Sequence, residues 1–169
     1  MPACGTESVA IRVCSPGDAE RLGPDFAARW EGQVAGRWDL LTAWNGERLV
    51  GSGVLRWEGP FNPMVAEALP DQVEFGFLQV EADCRERGIG TALLQLALQR
   101  GRERKVLSIG LGVGTDNPRA AALYRRLGFV DTGLRFTDTY LAVEADGGTH
   151  PTVEPGSYLI HQLAGGADA

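Results

Sequence analysis

The sequence predicts a single α/β domain. Three observations carry that expectation: a strand, helix, strand succession across residues 73–113, two β-prone runs joined at Asn45-Gly46, and no linker or internal repeat ahead of the closing "AGGADA". With 169 residues, 44% hydrophobic and 22% charged, the chain is long enough to bury most of its apolar surface. We place one domain over residues 1–163 and a short flexible tail over 164–169.

"VAIRVCS" (9–15) alternates as a first strand, and "PGDAERLGPDFAARWEGQ" offers two short helical pieces broken at Gly23-Pro24. "RWDLLTAWNGERLVGSGVLRW" (37–57) is the clearest hairpin, turning across Asn45-Gly46. Residues 58–72 hold three prolines and little periodicity, which predicts an irregular connection able to shape a substrate mouth. "VEFGFLQV" (73–80) predicts a buried strand, "TALLQLALQRGRERK" (91–105) a helix and "VLSIGLGV" (106–113) a second strand, together a parallel crossover. In "DNPRAAALYRRLGF", Asn117 as N-cap, Pro118 at the first helical position and Gly128 past the end delimit a helix over 118–127. "VDTGLRFTDTYLAV" and "SYLIHQL" predict two closing strands separated by a long excursion, "EADGGTHPTVEPG".

Charge and cysteine usage exclude several classes. The formal net charge of -6 argues against a general nucleic-acid binder. Between Arg85 and Arg126 lie nine of the 16 basic residues but three of the 22 acidic ones, so that stretch carries +6 and the remainder -12. A local positive field in an acidic chain suits a compact polyanion, and solvated helix faces are the plain alternative. No apolar run is long enough to cross a membrane and "MPACGTESVAIRV" lacks the features of a secretory signal, which predicts a soluble cytoplasmic protein without a membrane partner. Cys4, Cys14 and Cys84 are odd in number, widely spaced and free of a CxxC pair; we expect ordinary thiols and no disulfide framework. His150 and His161 lack ligand-spaced partners, so no metal site is expected.

The segment "RERGIGTALL" (85–94) puts two arginines and two glycines ahead of a helix. If that helix opens near Thr91, then Arg87, Gly88, Ile89, Gly90 and Thr91 cluster backbone N–H groups at its positive end, an anion site to which Arg85 and Arg87 add charge. A tight turn without a ligand is the plain alternative. A Walker loop is excluded because the one lysine, Lys105, stands elsewhere, and the dinucleotide fingerprint fails where Leu93 replaces its third glycine. "GLGVG" (110–114) opens no helix and is a weak phosphate motif.

"RERGIG" resembles the R/Q-x-x-G-x-G/A segment of the Gcn5-related N-acetyltransferases, and "NPRAAALYRRLGF", some 27 residues after Gly90, resembles the family's N-x-x-A-x-x-x-Y-x-x-x-G-F hallmark. The resemblance is clear over about residues 73–130 and loose over 37–57. It implies a mixed, mostly antiparallel sheet whose central parallel strands splay to hold CoA, with helices on both faces. It also implies acetyl-CoA as co-substrate, its pyrophosphate on the amides of Arg87 to Thr91 and its pantetheine arm along the main chain of Leu78 and Val80. Asn117 matches a cofactor-contacting position and is equally an N-cap.

Tyr124 matches the family's tyrosine that protonates the departing thiolate, a role suited to a phenol with a reference pKa of about 10. Packing on the buried helix face is its plain alternative. Glu74 lies 11 residues before Arg85, the spacing of the glutamate base in the family's histone-acetylating branch. It reads equally as a strand-end residue facing solvent, with Glu81 and Asp83 as alternative bases. Cys84 is expected to be structural. The resemblance implies direct attack by a primary amine of a small molecule or peptide, with the Val80 N–H polarising the thioester. An acyl-CoA-binding module without catalysis and a nucleotide binder unrelated to CoA are the competing expectations, and a homodimer stays open. The loops at 58–72 and 137–157 are expected to select the acceptor.

Overall fold

The computed structural model describes residues 4–5 and 8–163; the expected tail at 164–169 lies outside them. Seven strands form one sheet: β1 (Ala10–Val13), β2 (Trp38–Asn45), β3 (Arg48–Arg56), β4 (Val73–Val80), β5 (Ser108–Gly114), β6 (Val130–Val143) and β7 (Thr149–Gln162). Their order is β1-β2-β3-β4-β5-β7-β6, and every neighbouring pair is antiparallel except β4 and β5. The helices are α1 (Pro16–Ala19), α2 (Ala27–Val34), α3 (Pro63–Ala68), α4 (Ile89–Glu103) and α5 (Pro118–Arg126).

The 3.6-residue period of α4 brings Ile89, Leu93, Ala97 and Gly101 onto one stripe, flanked by Leu94 and Leu98, all buried. They pack with Leu41, Ala43, Val50, Leu55, Ile109 and Leu111 from the sheet. A side chain at Gly101 would meet Leu163 Cδ1 at 2.6 Å and Ile109 Cδ1 at 2.8 Å, so glycine sets how closely the helix approaches. On the opposite face Trp30 of α2, with Phe26 and Trp38, covers Leu40 and Val54, while α3 brings Val65 to Phe136 and Tyr158. The helices thus cover both faces.

β4 and β5 pair through Val73 with Ile109 and Glu74 with Gly110, and then part. The cause lies in β4. Opposite β3, Ser52 pairs with Gln79 and Val54 with Gly76, so β4 carries one extra residue, and Phe77 takes φ +54. A bulge of this kind bends its strand and reverses the facing of the residues beyond it. Phe75 accordingly packs toward α4, Phe77 lies on the other face with its ring 4.8 Å from that of Phe61, and Leu78 and Val80 return to the α4 side.

Several expectations need correction. The 58–72 connection contains α3, opened by Asn62, whose Oδ1 accepts from the Met64 N–H at 2.9 Å, and by Pro63 in the first turn. Residues 144–156 are no excursion: β7 begins at Thr149 and pairs with β6 back to Val143, leaving a short turn. Pro151 and Pro155 were the misleading signal; both lie beyond the end of the β5–β7 ladder at Gly156, where a missing N–H on the side away from β6 is tolerated, and the Pro155 carbonyl still accepts from the Thr115 N–H at 3.0 Å. The β2–β3 turn falls on Gly46-Glu47, one residue later than expected, with Gly46 at φ +59. β4, expected to be buried throughout, is buried only over Val73, Glu74 and Phe75.

The cysteines also depart from expectation. Cys4 and Cys84 form a disulfide across a separation of 80 residues, their Cα atoms 5.5 Å apart, and Cys14 is the buried free thiol. Chain spacing carries no trace of that pair; the fold creates it by laying residues 4–5 along the turn after β4. Burial pushes the Cys14 thiol up to about 11.

Candidate active site

Two concavities flank the gap between β4 and β5. The larger, about 1130 Å³, lies among the end of β4, the start of α4 and α5, and is lined by Leu78, Val80, Arg85, Gly88, Ile89, Gly90, Thr91 and Asn117. The α4 helix starts abruptly because Gly88 adopts φ +77 as its N-cap, with no side chain capping it. The first helical bond runs from the Ala92 N–H to the Gly88 carbonyl at 2.9 Å, so the Ile89, Gly90 and Thr91 amides have no partner within the helix. Three donors without a partner among the described residues, at the positive end of a 15-residue helix, make an anion cradle.

The strand edge supplies a second set of backbone groups. The Glu81 N–H donates to the Val50 carbonyl at 2.9 Å, toward β3. Backbone groups alternate sides along a strand, so those of Val80 and Leu78 point to the opposite edge, into the gap. Arg85 Nε already donates to the Val80 carbonyl there, at 3.2 Å.

Arg87 is oriented elsewhere. Its guanidinium donates to the Gly5 carbonyl at 2.9 Å and lines a separate small cleft with Ser8, Val9 and Ile11. Asn117 does cap α5, its Oδ1 accepting from the Ala120 N–H at 3.1 Å, while also lining the large cleft. Sequence reasoning missed Arg119, Leu123 and Arg126, which bring α5 to the cleft wall. The motif was read for Asn117 and Tyr124, although the helical period puts Arg119, Leu123 and Arg126 on one face of the same helix, with Leu123 partly buried. Arg119 pairs with Glu86 across the mouth at 2.6 Å, both side chains well exposed.

The smaller cavity, about 240 Å³, opens on the other face of the sheet, beneath α3. Glu74 faces it and is 7% exposed. Its Oε1 accepts from the Phe61 N–H at 3.1 Å and its Oε2 from the Tyr158 hydroxyl at 2.9 Å. The solvent-facing alternative for Glu74 is thereby removed. Burial raises its pKa, and the two donors, which stabilise the charged form, pull against that rise. Tyr158 is pushed up in turn by its own burial and by the facing carboxylate. Glu81 and Asp83, the alternative bases, stand after the strand; Arg48 binds Asp83 at 2.8 Å and lies 3.9 Å from Glu81.

Tyr124 is 8% exposed and sits in the core against Phe129, with ring centroids 6.2 Å apart. It lines neither concavity, whereas Ala120 and Leu123 of the same helix line the cleft. Its hydroxyl has no hydrogen-bond partner among the described residues, and burial raises its pKa, so it stays protonated at neutral pH.

A family model for the acetyltransferase (GNAT) family matches residues 12–129. The mycothiol acetyltransferase of Corynebacterium glutamicum (strain R) is 32% identical over 91 residues, 54% of this chain and 28% of that protein. The chain spans about a quarter of the length of the curated relatives it matches, 22% and 28%. Among solved structures, Arabidopsis thaliana NAA60 in complex with a bisubstrate analogue superimposes with a TM-score of 0.67 at 20% identity, covering 94% of this chain and 99% of that one. The putative acetyltransferase yncA from Salmonella typhimurium, with its cofactor acetyl-CoA, gives 0.65 at 17% identity, covering 96% and 98%. At such identities the likeness is one of fold. No helix among the described residues is long and apolar enough to cross a membrane. Because the family match runs from β1 through α5 and so includes every wall of the large cleft, the chain belongs to the acetyltransferase (GNAT) family.

Proposed function

We propose that this protein transfers an acetyl group from acetyl-CoA to a primary amine by direct attack. One observation carries the reading: the same gap between β4 and β5 has an anion cradle and an open strand edge on one face and a buried carboxylate on the other. The cleft fits the donor by chemistry, since unpartnered amides at Ile89, Gly90 and Thr91 suit a pyrophosphate and the Leu78 and Val80 main chain suits an amide-bearing arm.

Acetyl-CoA supplies the thioester. The Val80 N–H donates to the carbonyl oxygen as negative charge develops there. Glu74 takes the proton that the amine nitrogen must lose as its N–C bond forms. To Tyr124, protonated and next to Leu123 of the cleft wall although it does not line the cleft itself, we assign the proton given to the sulfur as the C–S bond breaks. Arg85, bound to the Val80 carbonyl, holds that strand end in place. Burial raises the Glu74 pKa, which makes the carboxylate a stronger base once ionised.

The test joins binding to turnover. Calorimetry is expected to show CoA binding, and thiol release from acetyl-CoA is expected with an amine present and lost in Tyr124→Phe. Indifference to CoA sinks the reading outright. CoA binding with no release for any amine marks a binding module instead.

A further inference from the structure

The glycines of "GLGVG" in β5 open no phosphate loop, and the fold gives them another task. Strand alternation puts Ile109, Leu111 and Val113 into the α4 core and Gly110, Gly112 and Gly114 on the opposite face, where Gly112 and Gly114 line the small cavity. Each glycine takes a side chain from elsewhere. A Cβ at Gly110 would overlap the Tyr158 ring, one at Gly112 would stand 2.7 Å from Phe136 Cζ, and one at Gly114 would overlap Glu154 Oε1. The row therefore seats two aromatic rings end-on against bare backbone, just beyond the Glu74 carboxylate.

Phe61 and Phe77 add ring surface from the other side, and no lysine, arginine or histidine lines the cavity among the described residues. Its volume matches about eight water molecules, room for roughly ten non-hydrogen atoms. One side is closed by a clasp: Asn62 Nδ2 donates to the Thr137 carbonyl at 2.9 Å and to Asp138 Oδ1 at 2.6 Å, fastening the start of α3 to β6. A compact cavity with five aromatic residues in its lining and a carboxylate at the reaction end binds an apolar body and orients a cationic head.

Resting on the acetyl-transfer reading above, we infer that the acceptor is a compact primary amine carried on an apolar, aryl- or alkyl-sized body, not an extended peptide. The amine enters the cavity head first, its nitrogen between Glu74 and the gap and its body against Phe136. Asp138 and Glu154 line the same cavity and add carboxylates to that of Glu74, which makes it unfavourable to carboxylate-bearing acceptors.

The experiment measures thiol release from acetyl-CoA with 2-phenylethylamine and hexylamine, against an alanine-initiated hexapeptide and free glutamate. The compact amines are expected to exceed the other two in kcat/KM by about tenfold or more. Phe136→Leu is expected to raise KM for 2-phenylethylamine by about tenfold while leaving KM for acetyl-CoA unchanged. Phe77→Ala, at a side chain 50% exposed, repeats the test where folding is not at stake. Peptide turnover equal to or above that of the compact amines overturns the inference and leaves acetyl transfer standing. Release with none of the acceptors, CoA still binding, overturns both.

Discussion

The two faces of the β4–β5 gap are built from different materials. On the cleft face the donors are main-chain groups, supplied by one run from Leu78 to Thr91 with α5 as a side wall. On the cavity face the working groups are side chains, brought together from α3, β4, β5, β6 and β7. A backbone site depends on where the chain turns, and tolerates most side chains. A side-chain site depends on which residues meet, and one change alters what it accepts. The cleft therefore suits a constant donor and the cavity a particular acceptor.

The largest expected effect falls on the cavity side. Glu74→Gln retains the shape and the Phe61 and Tyr158 neighbours but removes the proposed proton acceptor. Loss of a general base costs about 10²–10⁴-fold in kcat, with KM for acetyl-CoA unchanged because the cleft lies on the other face. Steady-state thiol-release kinetics measure both constants, and a rise in acetyl-CoA KM of similar size would mean that the faces are not separate.

The disulfide belongs to the cleft side, since Cys84 lines that wall. Cross-linking residues 80 apart is worth up to ~4 kcal/mol in the chain-entropy model. Cys4→Ser is expected to lower stability in denaturant titration by up to that amount and to weaken acetyl-CoA binding, leaving the amine KM in place. Equal stability with and without reductant would show that the bridge does not form in solution.

Gly88→Ala is a smaller change on the same side. A side chain at φ +77 costs about 1–2 kcal/mol, although nothing within 4 Å obstructs it. Relief of that strain distorts the first turn of α4 and its three free amides. We expect KM for acetyl-CoA to rise with kcat nearly constant; a fall in kcat alone would place the loop in the chemistry.

This contrast also explains what could be read before the fold was known. The glycine junction was legible because its working parts are adjacent in sequence and its residue types follow from backbone conformation. Asn117, Pro118 and Gly128 marked α5 for the same reason. The splay of β4 was not legible from residues 73–80 alone, since nothing in "VEFGFLQV" announces that Phe77 takes a positive φ. α3 was missed because its prolines were weighed as breakers, although Asn62-Pro63 is a helix start. The β7 extension was missed because Pro151 and Pro155 forbid a central strand but not one open on a side. Tyr158 escaped notice altogether: its partner Glu74 is 84 residues away, and no local pattern links them.

That pair yields the smallest and most discriminating expectation. As the proposed base, Glu74 must be ionised to accept a proton, so activity is expected to fall as pH drops through its pKa. Burial raises that pKa by disfavouring the charge, while the Tyr158 hydroxyl and the Phe61 amide lower it by donating to the carboxylate. Tyr158→Phe removes one donor and keeps the ring against Gly110, so the remaining balance tilts further toward the neutral acid. One net hydrogen bond is worth about 1 kcal/mol, close to one pH unit, and the acid limb of the kcat profile should move upward by about that much. On the plateau, where Glu74 is ionised in both proteins, kcat should fall only a few-fold. An acid limb that stays in place would assign the limb to another group, and Tyr158 would then serve packing alone. A downward shift would mean that the hydroxyl stabilises the protonated acid, reversing the role of the pair.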